Sequence, residues 1–324
     1  MKINESFWPD KRILVTGGCG FLGTNLLQYL VLNKTFHVRA VQHEKDPQWQ
    51  HPSVKYIKGD LTQRDFCQEI TKNIDVVFHA AANTSGAAVI KNNPTIHVVE
   101  NTLINTLLLD AAAKAGVKQF VFISSSAIYP DRPTPMKEEE GFINDPASIY
   151  FGVGWMKRYA EKLCEFYHQQ FKMNVLIIRP SQLIGKYMNF RPQESHMVPS
   201  LIRRAIEQPG PLEVWGSPDS VRDYINVQDC IDILYNLLPV HGTYNIASGQ
   251  PVTVDQITKL ILEHTERFRN FQTKTIHYDA SQPTTIHTRL VNNTKIREYL
   301  PQFPAALSTT IKHMVDTFYA QYIS

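Results

Sequence analysis

Gly17, Gly20 and Gly23 stand three residues apart in the segment Thr16-Gly17-Gly18-Cys19-Gly20-Phe21-Leu22-Gly23. The chemistry of that spacing is phosphate binding. Glycines allow a tight turn and let backbone approach a pyrophosphate, and a helix opening behind the turn offers unpaired N–H groups and a partial positive charge. The turn predicts a bound dinucleotide held by Gly17, Gly20, Phe21, Leu22 and Gly23. An acid that grips a ribose 2′-hydroxyl is expected at the end of the second strand. None stands at Val41 or Gln42, and the strand reads on through His43-Glu44-Lys45. Arg39, His43 and Lys45 would suit a 2′-phosphate, so the cofactor is expected to be NADP, with NAD as the alternative.

That turn works only if a strand ends in it and a helix leaves it. Residues 12–16 form a short apolar run, and apolar residues at Leu22, Leu26, Leu27, Leu30 and Val31 follow helical spacing. Further strands are expected at 37–41, 54–57, 75–79, 119–123 and 175–178, with long helices at 95–115 and 148–171. Strands alternating with helices predict an α/β fold, a doubly wound parallel sheet of the Rossmann type. After Pro180 the prolines at 192, 199, 209, 211 and 218 break the rhythm. The expected division is a dinucleotide-binding domain over 1–181, joined again by 225–248, and a smaller substrate-binding lobe from 182–224 and 249–324.

The composition supports a globular protein. Of 324 residues, 43% are hydrophobic and 19% charged, and the formal net charge is only +3. That balance gives no reason to expect nucleic acid or a membrane surface as partner. Cys19, Cys67, Cys164 and Cys230 are far apart, with no zinc-like spacing, so no metal is expected and the thiols suit a reducing cytoplasm. The first ten residues lack the apolar run of a secretory signal, and no stretch nears the roughly 18 apolar residues of a membrane span.

The order of short motifs resembles a known family. Gly17 to Gly23, Gly59-Asp60-Leu61, His79-Ala80-Ala81-Ala82, Ser124-Ser125-Ser126-Ala127-Ile128-Tyr129-Pro130 and Arg179-Pro180 follow the order of extended short-chain dehydrogenases/reductases. The later segments, Asn189-Phe190, the run from Ser195 to Arg204, Val214-Trp215-Gly216 and Arg222-Asp223, are similar to GDP-L-fucose synthase and related GDP-sugar reductases. The resemblance implies that Asp60 and Leu61 flank the adenine and that Ala80, Ala81, Ala82 and Pro180 line the cofactor. It implies Ser125 as the catalytic serine on a C4 oxygen, Lys157 as the lysine of a YxxxK pair, and His196 as an epimerisation acid/base. Ser126, Gln182, Asn189, Arg204, Trp215, Arg222 and Arg289 would meet a GDP-linked sugar, Arg289 standing where the family commonly has lysine. The same analogy implies a homodimer through the two long helices.

Two departures bear on the chemistry. Epimerising members carry a cysteine where this chain has Ala127, which leaves His196 without a partner for moving a proton between two faces. The YxxxK tyrosine falls at Val153, which has no proton to give. Tyr150 is the nearest upstream tyrosine, seven residues before Lys157 and about 10 Å away along an ideal helix. The expected activity is reduction of a GDP-linked 4-keto sugar, deoxyhexose or heptose, without epimerisation, the proton coming through Ser125, Tyr150 or water. A nucleotide-sugar epimerase with tightly held NAD and a catalytically silent binding subunit are the alternatives.

Overall fold

The computed structural model describes residues 7–8, 10–33, 37–84, 95, 97–192, 195–269, 272–282, 285–298 and 304–323. The first half alternates strand and helix: β1 (Arg12–Thr16), α1 (Phe21–Leu32), β2 (His37–Gln42), β3 (Val54–Lys58), α2 (Arg64–Ile70), β4 (Val76–His79), α3 (Val99–Lys114), β5 (Gln119–Ile123), α4 (Phe151–Phe171) and β6 (Asn174–Pro180). After it come β7 (Gln182–Ile184), α5 (Met197–Glu207), β8 (Leu212–Trp215), β9 (Val221–Asn226), α6 (Val227–Leu237) and β10 (Gly242–Ile246). The remainder is β11 (Pro251–Thr253), α7 (Val254–Thr265), β12 (Ile276–Asp279), β13 (Thr288–Arg289), α8 (Thr294–Arg297) and α9 (Leu307–Tyr322).

Seven parallel strands form one sheet in the order β10-β6-β5-β4-β1-β2-β3. The strands are apolar on both faces because helices cover both. Ile13 and Val15 of β1 pack with Leu26 and Leu27 of α1 and Ile231 and Leu234 of α6. Leu14, between them, faces Leu108 of α3, Phe120 and Cys164. The chain reverses its direction of travel across the sheet between β1 and β4. In open α/β sheets that switch point, at the carboxyl ends of the strands, is where ligands bind.

The smaller lobe is organised around β9, which pairs with β7 and β13 in parallel and with β11 antiparallel. β12 pairs with β8. Helices α5, α7 and α9 close a third core containing Leu201, Ile202, Tyr224, Ile257, Ile261, Met314 and Phe318.

Three sequence expectations are corrected. The helix expected at 95–115 begins at Val99; just before it the Val98 N–H donates to the Thr95 carbonyl at 2.9 Å. The helix expected at 148–171 becomes α-helical only at Phe151, after a single 3₁₀ turn, Ser148–Tyr150. The seven-residue α2 was not anticipated; only Cys67 and Ile70 of it are buried, too few for a visible period.

Candidate functional site

The glycines sit where side chains cannot. Gly17 has φ +67°, and a Cβ there would lie 2.8 Å from both the carbonyl oxygen of Ala80 and the N–H of Ala81. A Cβ on Gly23 would come within 2.1 Å of the Gly17 carbonyl. The turn therefore draws β1, the tip of β4 and the first turn of α1 into backbone contact. Gly20 caps α1 without a side chain, leaving the N–H groups of the first helical turn facing the switch point. These features fit a dinucleotide pyrophosphate.

A buried chain of hydrogen bonds ties β4 to that turn. The Ala81 N–H donates to Thr16 Oγ1 at 3.1 Å, Thr16 Oγ1 meets His79 Nδ1 at 2.8 Å, and His79 Nε2 meets Asn105 Oδ1 at 2.9 Å. An amide oxygen only accepts, so Nε2 carries a proton, and in the neutral ring Nδ1 then accepts from the Thr16 hydroxyl. Burial first, then the charge of Lys157, pushes His79 down to about 3. Through this chain Ala80, Ala81 and Ala82 are held against the glycine turn.

Just past β3, the Asp60 carboxylate accepts from Thr62 N–H at 2.8 Å and Thr62 Oγ1 at 2.7 Å. The Thr62 N–H is the main reason its carboxyl lies below the usual range, and His43 adds to the effect. Leu61 is buried beside Val41 and Cys67, and His43 is exposed. Arg39 turns to the other end of the sheet, where it donates to the Lys72 carbonyl at 2.9 Å. An acid that the sequence reading passed over, Asp46, folds back to the strand end and accepts from Gln42 Nε2 at 3.1 Å.

Beyond β5 the chain brings four of the expected residues together. Ser125 Oγ accepts from the Ala127 N–H at 3.0 Å. Arg289, from β13, donates through Nε to Ser126 Oγ at 3.0 Å and through one terminal nitrogen to Tyr150 Oη at 3.2 Å. Its other terminal nitrogen is 3.5 Å from Ser125 Oγ. The guanidinium carbon lies 4.7 Å from the centre of the Tyr150 ring. Val153 packs with Ala127, Ala147, Tyr150 and Ile286.

Lys157 points elsewhere. Its ammonium donates to the Ile123 carbonyl at 2.8 Å and lies 4.8 Å from the centre of the Phe122 ring. Burial lowers it to about 8, against the opposing charge of Glu161. Glu161 belongs to a buried network absent from the sequence reading. It takes Arg179 Nε at 3.0 Å and a terminal nitrogen at 2.6 Å, along with the Ser124 hydroxyl. Arg179 also donates to Tyr129 Oη at 2.9 Å, and Tyr129 to Asn245 Oδ1 at 2.6 Å. Nothing in the one-dimensional pattern marks these pairings, which join α4, β6, β10 and the turn after β5.

The remaining candidates lie on the lobe side. His196 precedes α5; its ring keeps an exposed edge, yet the protein packed around it, then Arg289, then His97, hold it below the ordinary histidine range. Arg204 donates to the Glu213 carbonyl at 2.8 Å, and Trp215 ends β8 with 45% of its surface exposed. Asn189 accepts from the Arg191 N–H at 2.9 Å. Gln182 opens β7 opposite Tyr224, and Pro180 ends β6 opposite Ile246. The Arg222 guanidinium is taken up by backbone: it donates to the carbonyls of Val221, Ile286 and His287 at 2.8, 2.7 and 2.8 Å and to Thr285 Oγ1 at 3.0 Å. Among the described residues no cluster of three or more His, Cys, Asp or Glu could hold a metal.

Comparison with known proteins agrees with this geometry. The chain is 29% identical to a probable GDP-L-fucose synthase 1 of Oryza sativa subsp. japonica, over 93% of this chain and 91% of the relative. It is 26% identical to a dTDP-4-dehydro-6-deoxy-D-allose reductase of Streptomyces bikiniensis, over 96% and 97%. The solved UDP-glucose 4-epimerase of Thermotoga maritima with UDP-glucose superposes with a TM-score of 0.82 at 25% identity, over 95% of this chain and 98% of that one. The NAD dependent epimerase/dehydratase family profile matches residues 13–247, which run from β1 to just past β10 and so take in the glycine turn, the hydroxyl cluster and the whole large sheet. With that match over most of its length, the chain belongs to the NAD dependent epimerase/dehydratase family, the extended short-chain dehydrogenases/reductases, whose members modify nucleotide sugars with an NAD(P) cofactor.

Proposed function

We propose that this protein reduces the C4 ketone of a GDP-linked 4-keto sugar, deoxyhexose or heptose, with NADPH and without epimerisation at C3 or C5. The observation that carries the reading is that the Ser125 and Tyr150 hydroxyls both contact the Arg289 guanidinium, with a buried alanine at position 127. Two hydroxyls there suit a ketone oxygen that gains negative charge and a proton. Ala127 can neither take nor return a proton, so the site is equipped for one proton transfer to oxygen and lacks the partner that His196 would need for inversion at carbon.

The residues that would hold the cofactor are Gly17, Gly20, Phe21, Leu22, Gly23, His43, Asp60, Leu61, Ala80, Ala81, Ala82, Lys157 and Pro180. When bound, a reduced nicotinamide supplies the hydride. The preference for NADP rests on the exposed His43 and on the lack of an acid at Val41 or Gln42. The preference for GDP rests on the resemblance of residues 189–204 and 214–223 and on the name of the rice relative. Arg204 and the exposed Trp215 are the residues we assign to the nucleotide. A dimer is supported by an apolar stripe of Phe151, Trp155, Tyr159 and Phe166 on the outside of α4, beside Val99 and Leu103 of α3; all six are exposed.

The test is NADPH oxidation by the purified protein with a panel of GDP-4-keto sugars, run in D₂O. The expected result is turnover with no deuterium at C3 or C5. Deuterium at either carbon removes the reductase-only reading. Competition binding with GDP, UDP and dTDP checks the nucleotide; equal or tighter binding of UDP or dTDP removes the GDP assignment. A second reading, a nucleotide-sugar epimerase that keeps NAD, is favoured by Asp46 at the end of β2. It requires tighter calorimetric binding of NAD than of NADP, and loss of that preference in Asp46→Asn.

A further inference from the structure

Val153 leaves the family's lysine without its tyrosine, and Lys157 is bound to the end of β5. The cation beside a tyrosine in this site is instead Arg289. It contacts three hydroxyl oxygens at once, those of Ser126, Tyr150 and Ser125, at 3.0, 3.2 and 3.5 Å. It is also held firmly from behind. Arg289 stands opposite Arg222 in the β13–β9 register, and three of the four hydrogen bonds of the Arg222 guanidinium fasten residues 285–287, just ahead of β13.

Donor and acceptor accounting gives this arrangement a direction. A guanidinium can only donate, so Tyr150 Oη is an acceptor in this contact and keeps its own proton for a third group. Ser125 Oγ accepts from Ala127 N–H and faces another guanidinium N–H, so its proton is likewise left to donate. The cluster therefore presents two hydroxyl protons backed by one positive charge. That is the arrangement required by an oxygen that becomes negative and is then protonated.

We propose that Tyr150 donates the proton at this site and that Arg289 is its positioning partner, in the part a lysine plays beside the tyrosine of a YxxxK pair. The inference rests on the reading above in that it takes the substrate oxygen to be a sugar ketone. A bound reduced nicotinamide would supply the hydride to the ketone carbon; on the protein side, the Tyr150 O–H bond breaks and its hydrogen joins the ketone oxygen. The electron pair of that bond stays on the phenolate beside Arg289, and solvent later returns a proton to it. Arg289 then serves the reacting oxygen, and the nucleotide diphosphate must be gripped elsewhere.

The experiment compares wild type with Arg289→Ala, Arg289→Lys, Tyr150→Phe and the Arg289→Ala/Tyr150→Phe double variant. With a GDP-4-keto sugar, kcat should fall about 10²–10⁴-fold in Arg289→Ala and in Tyr150→Phe, with KM within a few-fold. Added guanidinium should restore part of the kcat of Arg289→Ala and none of that of Tyr150→Phe. Arg289→Lys, which keeps the charge and the fold but cannot reach three oxygens, should fall between. Calorimetry gives a readout independent of turnover: GDP affinity should stay within about twofold in every variant. GDP-mannose, whose 4-hydroxyl stands in for the ketone oxygen, should lose its advantage over GDP equally in both single variants and the double. A tenfold loss of GDP affinity in Arg289→Ala, or additive losses for GDP-mannose, overturns the proposal. If wild type turns over none of the keto sugars, the reductase reading falls, and these binding measurements still decide where Arg289 acts.

Discussion

His79 shows how one side chain couples nucleotide geometry to stability. Its folded-state value of about 3 lies below the ordinary 6.5. A base depressed in this way contributes stability above pH 6.5, and that contribution is lost as pH falls from 6.5 toward 3, because the unfolded chain takes up the proton first. Wild type should lose about 1.4 kcal/mol per pH unit over that window from this group, and His79→Gln should lack that component; denaturant unfolding between pH 7.5 and 5 checks it. Lys157 is lowered by the same cause, burial, and gives the same sign of slope. Its value is lowered from 10.5 to about 8, so the cost of burying its charge is present below pH 8 and is relieved as pH rises toward 10.5. The Glu161–Arg179 pair is almost wholly buried and bonded on both carboxylate oxygens. Glu161→Gln should cost about 3–5 kcal/mol, as removing one partner strands a charge, read as a lower midpoint of chemical unfolding. None of these three pairings was visible in the sequence, because each joins residues whose separation in the chain follows no local period. Ser125, Lys157 and Arg289 were visible as candidates, yet only the fold shows that Lys157 turns to the Ile123 carbonyl and that Arg289 meets Tyr150.

At the scale of elements, the glycine turn was legible because steric exclusion leaves a mark in residue type. Gly23→Ala would push a Cβ to 2.1 Å from the backbone at Gly17. Backbone cannot give way as a flexible side chain does, so calorimetric binding of NADP should weaken at least tenfold and thermal stability should fall by a few degrees. β1 and β5 were read with their observed bounds, since apolar runs flanked by glycine and polar residues define their own ends. The short strands β7, β9 and β13 were not read. Their segments carry too few residues for a period, and their pairing is set by β9 at a distance in sequence. The late start of α4 was also hidden, although it decides the site. Tyr150 lies in the cap with φ −109° and ψ 11°, outside the helical repeat, which frees its ring to meet Arg289 rather than Lys157. Val153→Tyr would place a second phenol among Ala127, Ala147 and Ile286; turnover should fall or stay level, and a rise would argue for a site waiting for its tyrosine.

For the whole molecule, the exposed stripe on α4 and its neighbours on α3 set the proposed assembly. Paired about a twofold axis, the two helices would make a four-helix contact. Tyr159→Glu with Phe166→Glu should give a monomer by sedimentation at micromolar concentration, while wild type sediments as a dimer. No described helix is long and apolar enough to cross a membrane. The broad α/β architecture was legible because alternating strand and helix signals leave few topologies open. How the smaller lobe reaches the hydroxyls after β5 was not, since Arg289 comes to them from a two-residue strand.

That reach has a consequence for the order of events during synthesis. Arg289 and Tyr150 are 139 residues apart in the chain. The last strand of the large sheet ends at Ile246, well before the arginine. At a ribosomal pace of about 5–20 residues per second, the nucleotide turn and its sheet would all have been made roughly two to nine seconds before the guanidinium is added. A nascent chain can thus complete its glycine turn and large sheet while Tyr150, the proposed proton donor, still lacks Arg289, and on that proposal competence for chemistry arrives last, with the docking of β13.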